Sequence, residues 1–233
     1  MLIEAVKINS IPAMVYGEKS DKVYLFAHGQ NGYKEEAEPF AELVESSGWQ
    51  VISIDLPGHG QRKDEGDRFL PWFIVPELQQ VWDYMSRRWN NIALRANSIG
   101  AWYSMLAYNG KNIDHTLFVS PILDMEHLIK NMMVWAGVSE KQLEREQSIE
   151  TSFGQTLSWR YLCYARENAI ITWQCPTRIL YGSCDSLTER SVVDEFAKNF
   201  DCDLMVMESG EHWFHTKEQL DVLNNWIIEN PFL

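Results

Sequence analysis

The feature that most constrains the fold is a repeated pattern of short apolar runs that end abruptly in glycine-containing loops. Residues 23–27 run into His28-Gly29, and residues 50–54 run into a loop that contains Gly58 and Gly60. Between the two runs, apolar residues recur at helical spacing. Continuous apolar strands are buried on both faces, which is typical of parallel sheets. The pattern therefore predicts an α/β fold with a mainly parallel central sheet and helices on both faces.

The same alternation continues to the end of the chain. Two segments at the start, 2–8 and 11–16, alternate around a polar turn and predict a β-hairpin. Further strands are predicted at 92–95, 115–120, 176–181 and 203–207, and helices at 35–47, 72–89, 101–107, 192–200 and 219–229. Strands that alternate with helices of this length imply right-handed crossover connections within one sheet.

A chain of 233 residues suits a single domain that spans 1–233. One stretch interrupts the alternation, because residues 125–173 contain no convincing strand yet are apolar enough to pack on the rest of the chain. We interpret it as a helical insertion that forms a lid over the carboxyl edge of the sheet. An ordinary pair of crossover helices is the alternative interpretation.

Charge and cysteine content exclude several function classes. A net charge of −13 and a pI near 4.9 argue against nucleic acid or an anionic membrane surface as the main partner. The four cysteines lack metal-site spacing and are too few for a disulfide framework, so we expect reduced thiols. No signal peptide or membrane-spanning run is visible, and a cytoplasmic location is expected. The sequence leaves the oligomeric state open.

The strand predicted at 92–95 leads into the turn Ala96-Asn97-Ser98-Ile99-Gly100. A serine between a strand and a helix, with small residues two positions before and two after, is typical of a nucleophile elbow. The small residues are needed because the strained turn brings the helix close to the strand. Ser98 is therefore the candidate nucleophile, and it needs a base and an orienting carboxylate.

Two loops at the same predicted sheet edge supply candidates for these groups. Asp185 follows the strand predicted at 176–181, and His212 follows the strand predicted at 203–207. The order serine, aspartate, histidine along the chain is the one that this architecture uses. Asp124 competes for the role of the acid because it follows the preceding strand, and His215 competes for the role of the base. We favour Asp185 and His212.

Four motifs now stand in one order: His28-Gly29 after a buried strand, the loop 55–60, the elbow at Ser98, and the acid and histidine loops. In this order and placement the sequence resembles the α/β-hydrolases of the serine esterase, lipase and peptidase type, over nearly the whole chain outside 125–173. One departure is that Ala96 replaces the glycine that the family most often has. An extra methyl group could tighten the elbow without removing the nucleophile.

The resemblance implies an oxyanion hole formed by two backbone N–H groups, here those of Gln30 and Ile99. It implies acyl transfer to water through an acyl-enzyme, without a metal or organic cofactor. The expected substrate is a small to medium carboxylic ester, a small-molecule acyl donor, because no charged specificity group is evident. A peptidase, amidase or thioesterase of the same fold is the alternative, and a non-catalytic binding module is a further one.

Aromatic and histidine side chains near these motifs complete the expectations. Trp213, Trp102 and Trp135 are candidates for lining the substrate pocket, with Trp213 favoured because it adjoins the base. Burial in the core is the alternative for these tryptophans. His28 and His59 lie in loop motifs, where we expect them to hold loop backbone by hydrogen bonds rather than to transfer protons.

Overall fold

The computed structural model describes residues 1–232. Its strands are β1 Ile3–Ile8, β2 Ile11–Tyr16, β3 Lys22–Ala27, β4 Gln50–Ile54, β5 Asn91–Asn97, β6 Thr116–Val119, β7 Ser148–Glu150, β8 Thr156–Ser158, β9 Thr177–Gly182 and β10 Asp203–Met207. Its α-helices are α1 Glu38–Val44, α2 Pro71–Ser86, α3 Ile99–Tyr108, α4 Met125–Ala136, α5 Glu140–Glu146, α6 Trp159–Glu167, α7 Arg190–Asn199 and α8 Lys217–Ile228.

Eight of these strands form one sheet in the order β1-β2-β4-β3-β5-β6-β9-β10. Strands β1 and β2 pair antiparallel, and β2 also runs antiparallel to β4. The remaining pairs join six parallel strands, in the order β4, β3, β5, β6, β9 and β10. This is the mainly parallel sheet that the alternation predicted. All parallel strands therefore end at one edge, where their loops can meet.

The sheet is covered on both faces, so its strands contribute to two cores. Along β5, Leu94 packs into one core and Ala93 into the other. Neither side chain is accessible to solvent, as expected for a strand without polar alternation. Within residues 1–232, no helix combines the length and the apolar character needed to cross a bilayer.

The segment 125–173 lies between β6 and β9 and contains α4, α5, the two-stranded sheet β7–β8 and α6. The expectation of a purely helical segment was therefore wrong for the hairpin. Each of its strands has three residues, which is too short for alternation to be recognised. The turn is closed by Thr151, whose hydroxyl donates to the Gln155 carbonyl at 2.6 Å, and by Gly154, which has a φ of 82°.

Candidate active site

Ser98 occupies the junction between β5 and α3 with φ 49° and ψ −124°, a backbone conformation that residues other than glycine rarely adopt. A residue in such a conformation destabilises the fold by about 1–3 kcal/mol, so the conformation persists only when the surrounding structure holds it. Three backbone hydrogen bonds hold Ser98, and one of them is donated by the Ala101 N–H to the Ser98 carbonyl at 3.1 Å. The Ser98 N–H donates to the Val119 carbonyl at 3.1 Å, and the Ser98 carbonyl accepts from the Ile122 N–H at 3.1 Å.

The small residues on either side of Ser98 have different neighbours. A Cβ atom at Gly100 would lie 2.5 Å from the His28 carbonyl oxygen and 2.7 Å from that of Ala27. Helix α3 is thus pressed against the end of β3, the strand beside the elbow rather than the strand that carries it. Ala96 is fully buried, and its methyl group is accommodated in the core.

The structure brings Ser98, His212 and Asp185 into one hydrogen-bonded chain. The Ser98 Oγ lies 2.8 Å from His212 Nε2, and His212 Nδ1 lies 2.7 Å from Asp185 Oδ2. The carboxylate is inaccessible to solvent, and its other oxygen accepts from the N–H groups of Leu187 and Thr188 at 2.8 and 3.0 Å. Because a carboxylate can only accept, the proton of His212 lies on Nδ1 and Nε2 is free to accept from the serine hydroxyl.

The competing acid and base lie elsewhere. Asp124 caps α4, where its side chain accepts from the His127 N–H at 2.9 Å. His215 is exposed, and its Nδ1 donates to the Trp213 carbonyl at 2.8 Å. Neither side chain contacts Ser98 or the chain of hydrogen bonds that begins there.

The loops that carry Asp185 and His212 are locked together by two glycines. A Cβ atom at Gly182 would lie 2.4 Å from the Gly210 carbonyl carbon, so the two backbones touch. The contact is reinforced because the Cys184 N–H donates to the Gly210 carbonyl at 2.8 Å. The distance between acid and base is therefore set by backbone packing and not by flexible side chains.

The N–H groups of Gln30 and Ile99 are free to act on a bound ligand. Both residues line a cavity together with Ser98, and within residues 1–232 neither N–H donates to a protein acceptor. The loop that carries Gln30 lies against the nucleophile, since a Cβ atom at Gly29 would be 3.2 Å from the Ser98 Cβ. Unpaired N–H groups beside a serine hydroxyl can stabilise an oxyanion that forms there.

The two loop histidines hold backbone, as expected. His28 Nδ1 donates to the Gly29 carbonyl at 2.7 Å while its Nε2 accepts from the Leu56 N–H at 3.1 Å. His59 accepts from the Asn31 N–H at 2.9 Å in the same way. Burial lowers the pKa of His28 to about 4, which keeps the ring neutral so that it can both donate and accept.

A cavity of about 390 Å³ opens from Ser98 between the sheet edge and the segment 125–173. Its apolar walls are formed by Phe69, Leu70, Ile122, Met125, Leu128, Ile129, Met132, Leu157 and Leu187. No side chain of Asp, Glu, Lys, Arg or His lines it in the part of the chain that the structure describes. A cavity of this size and character accommodates an apolar group of modest length.

None of the three tryptophans named as pocket candidates lines this cavity, so those assignments are corrected. Trp213 is 73% exposed and stacks on His215, because its loop points outward beyond the base. Trp102 is only 1% exposed and packs in the core beneath Tyr161. Trp135 is 51% exposed on α4, where its ring meets Phe153 of the hairpin turn.

Sequence reasoning missed two tyrosines that do line the cavity, Tyr103 of α3 and Tyr161 of α6. Tyr103 is hidden in an almost wholly apolar helix, so its sequence context indicates only core packing. Tyr161 lies in the segment whose strands were not recognised. The one sequence feature that could have indicated Tyr103 as a lining residue is its position five residues after Ser98, about one and a half turns along α3.

Solved structures resemble this one over nearly the whole chain. Est1E from Butyrivibrio proteoclasticus, solved with ferulic acid, has a TM-score of 0.75 at 18% identity and covers 97% of this chain and 96% of its own. Alpha/beta hydrolase domain-containing protein 10 from mouse has a TM-score of 0.76 at 14% identity, with 97% of each chain covered. A monoacylglycerol lipase from Paleococcus ferrophilus has a TM-score of 0.66 at 16% identity, covering 94% of this chain and 98% of its own. No model of a protein family and no curated protein matches the sequence.

Proposed function

The chain has the α/β-hydrolase fold, and we propose that it is a serine hydrolase that cleaves small to medium carboxylic esters through an acyl-enzyme. The observation that carries the proposal is the unbroken hydrogen-bonded chain from Ser98 through His212 to Asp185, which begins at a strained turn beside two unpaired N–H groups. His212 contacts Ser98 Oγ directly, Asp185 holds His212, and the residues that carry the two N–H groups line the same cavity as Ser98.

In the first half of the reaction, Ser98 Oγ attacks the ester carbonyl carbon while His212 Nε2 takes the hydroxyl proton. Asp185 holds the imidazole in the tautomer that can accept this proton and stabilises the imidazolium that results. The carbonyl oxygen becomes an oxyanion within reach of the N–H groups of Gln30 and Ile99. His212 then gives the proton to the departing alcohol, which leaves an ester on Ser98.

In the second half, water takes the place of the alcohol. His212 removes a proton from the water, the resulting hydroxide attacks the acyl-enzyme carbonyl, and the same N–H groups stabilise the second oxyanion. Collapse of this intermediate returns the proton to Ser98 Oγ and releases the acid. The cycle uses only side chains and N–H groups of this protein.

The uncharged cavity supports an ester with an apolar acyl or alcohol group over an aminoacyl substrate, whose ammonium group would find no carboxylate partner there. Proteins of similar fold include Est1E, solved with ferulic acid, a monoacylglycerol lipase and a thioesterase domain. These names support acyl transfer from oxygen or sulfur as the reaction class. We also propose that the segment 125–173 acts as a lid, since it forms one wall of the cavity.

A fluorophosphonate probe tests the nucleophile. The wild-type protein is expected to be labelled, with the adduct on the peptide that contains Ser98, and Ser98→Ala is expected to abolish labelling. Ser86→Ala, which changes an exposed serine at the end of α2, is the matched control and is expected to label like the wild type. A wild-type protein that folds but stays unlabelled would overturn the proposal in favour of a binding module.

A substrate panel tests the ester assignment. Hydrolysis of p-nitrophenyl esters is expected to exceed that of aminoacyl p-nitroanilides with similar side chains, because no carboxylate lines the cavity to pair with an ammonium group. An acyl-thioester series measured alongside places the thioesterase alternative on the same scale. Faster cleavage of the anilides would move the assignment to a peptidase or amidase.

A further inference from the structure

Besides the polar residues Gln30, Gln155, Thr156 and Ser158, the lining of the cavity at Ser98 includes a pair of tyrosines. The hydroxyl oxygens of Tyr103 and Tyr161 lie 3.1 Å apart and are each other's hydrogen-bond partner. Tyr103 comes from α3, the helix that begins at the elbow, and Tyr161 from α6 of the segment 125–173. The pair thus joins the two halves of the cavity wall.

Both rings are held in place by aromatic neighbours. Phe69 meets the Tyr103 ring edge to face at 5.8 Å, and Trp102 stacks on the Tyr161 ring at 6.0 Å. Trp72 also meets Tyr161, at 6.2 Å. With two torsion angles each and packed rings, the hydroxyls have fixed positions, which is the condition for a polar group to discriminate between ligands.

The two hydroxyls do not use all of their hydrogen-bonding capacity on each other. Two hydroxyls carry two hydrogens, and the mutual bond uses one of them. Within residues 1–232 neither oxygen has a further side-chain or backbone partner, so one O–H remains available as a donor. Burial raises the pKa of Tyr103 and of Tyr161, so both hydroxyls stay protonated at neutral pH.

We propose that the Tyr103–Tyr161 hydroxyl pair is a specificity site that binds a neutral oxygen, either hydroxyl or carbonyl, on the part of the ester that fills the cavity. The preferred substrates are then esters that carry a second, uncharged oxygen function, rather than plain alkyl esters of equal length. The inference rests on the proposed function for the reaction, and on the cavity alone for the binding.

Charge explains why the oxygen must be neutral. A ligand carboxylate at the pair would be buried in a wall that has no lysine, arginine or histidine side chain, and an ammonium group would meet no carboxylate. An unpaired ion in such surroundings loses its hydration without compensation. A hydroxyl or carbonyl oxygen loses far less and gains the free O–H donor.

A hydroxyl scan of the substrate tests this proposal. The probes are methyl octanoate and methyl hydroxyoctanoates that carry the hydroxyl at successive carbons, and a second series puts the hydroxyl on the alcohol part of an octyl acetate. We expect kcat/KM to peak at one position in one of the series, about three- to tenfold above the plain ester. The series that shows the peak identifies whether the acid or the alcohol part fills the cavity.

Variants connect the peak to the two hydroxyls. Tyr103→Phe and Tyr161→Phe keep the rings, and each removes either the hydroxyl that donates to the ligand or the partner that fixes that hydroxyl. Both are therefore expected to reduce the peak to within about twofold of the plain ester. Tyr164→Phe is the matched control, because Tyr164 lies on the same helix, packs near Trp72 and does not line the cavity. It is expected to keep the peak.

Binding to Ser98→Ala, measured by calorimetry with the same esters, separates this inference from the proposed function. If the wild type cleaves plain and hydroxylated esters equally and the Ser98→Ala dissociation constants are also equal, the specificity site is refuted while the hydrolase stands. If no ester is cleaved but hydroxylated esters bind more tightly in a way that Tyr161→Phe abolishes, the site stands and the hydrolase falls. A peak that survives both phenylalanine variants also refutes the site.

Discussion

At the scale of single residues, the candidate site depends on where each carboxyl and imidazole points. Asp185 and Asp124 both follow parallel strands and both lie near the carboxyl edge of the sheet. Only Asp185 accepts a hydrogen bond from a histidine ring, through Oδ2, whereas Asp124 accepts from a backbone N–H in the first turn of α4. Sequence position could narrow the acid to these two residues, but the hydrogen bond that separates them depends on loop conformation.

The difference between the two aspartates predicts opposite results for the same chemical change. Asp185→Asn replaces an acceptor with an amide whose N–H₂ can donate to His212 Nδ1, which would favour the wrong tautomer. We expect kcat to fall by about 10³- to 10⁴-fold at neutral pH with little change in KM. Steady-state kinetics with a p-nitrophenyl ester measure this.

Asp124→Asn serves as the control for that experiment. Asparagine also caps helices well, so stability is expected to stay within about 0.5 kcal/mol and kcat within about twofold. A large loss of kcat in Asp124→Asn together with a small one in Asp185→Asn would assign the acid to the other loop.

At the scale of elements, the strands and helices of the sheet follow from apolar periodicity and glycine positions, and the sequence predicted nearly all of them. The hairpin of β7 and β8 was not predicted because each of its strands has only three residues. Trp213 was assigned to the pocket wrongly because position next to a catalytic candidate does not determine which way a side chain turns. Contacts such as that between Gly182 and Gly210 join loops that are distant in sequence, and periodicity contains no information about them.

That glycine contact predicts a sharp effect of one methyl group. In Gly182→Ala the new Cβ would lie 2.4 Å from the Gly210 carbonyl carbon, so the acid and histidine loops must separate. A displacement of a catalytic group on the order of 1 Å lowers the rate about 10²-fold. We therefore expect separation of the two loops to lower kcat by about that factor. Kinetics and a thermal unfolding curve on the same sample measure the effect.

Gly48→Ala is the comparison for Gly182→Ala. Gly48 has a φ of 75° but no atom within 4 Å of the position of a Cβ, and it lies at the far end of β4. We expect a stability loss of about 1 kcal/mol from backbone strain and an unchanged kcat. Equal kinetic losses in the two variants would show that general destabilisation, and not loop separation, explains the effect at Gly182.

At the scale of the whole molecule, a buried neutral histidine links stability to pH. His28 is completely buried, and its ring joins the loop after β3 to the loop after β4. The unfolded chain takes up a proton at this ring near pH 6.5, whereas the folded protein does so only near pH 4. The stability that this ring contributes is therefore present above pH 6.5 and is lost as the pH falls toward 4.

We expect His28→Asn to make the free energy of unfolding less sensitive to acid. The asparagine carbonyl can still accept from the Leu56 N–H, but it does not titrate. Between pH 7 and pH 4.5 the variant should lose up to about 3 kcal/mol less than the wild type. Urea denaturation at the two pH values measures the difference, and equal losses in both proteins would contradict the assignment of this linkage to His28.

The cavity wall at the segment 125–173 has a consequence for how such a protein can diversify. Ser98, Asp185, His212 and the two N–H donors lie in loops of the central sheet or at the start of α3, whereas this segment contributes Tyr161 and much of the apolar lining. The residues proposed for the reaction therefore all lie outside the segment 125–173, whereas the cavity lining is shared between this segment and residues of the main fold such as Tyr103. We expect a chimera that receives a foreign sequence between β6 and β9 to keep the proposed reaction and to change which substrates fit the cavity.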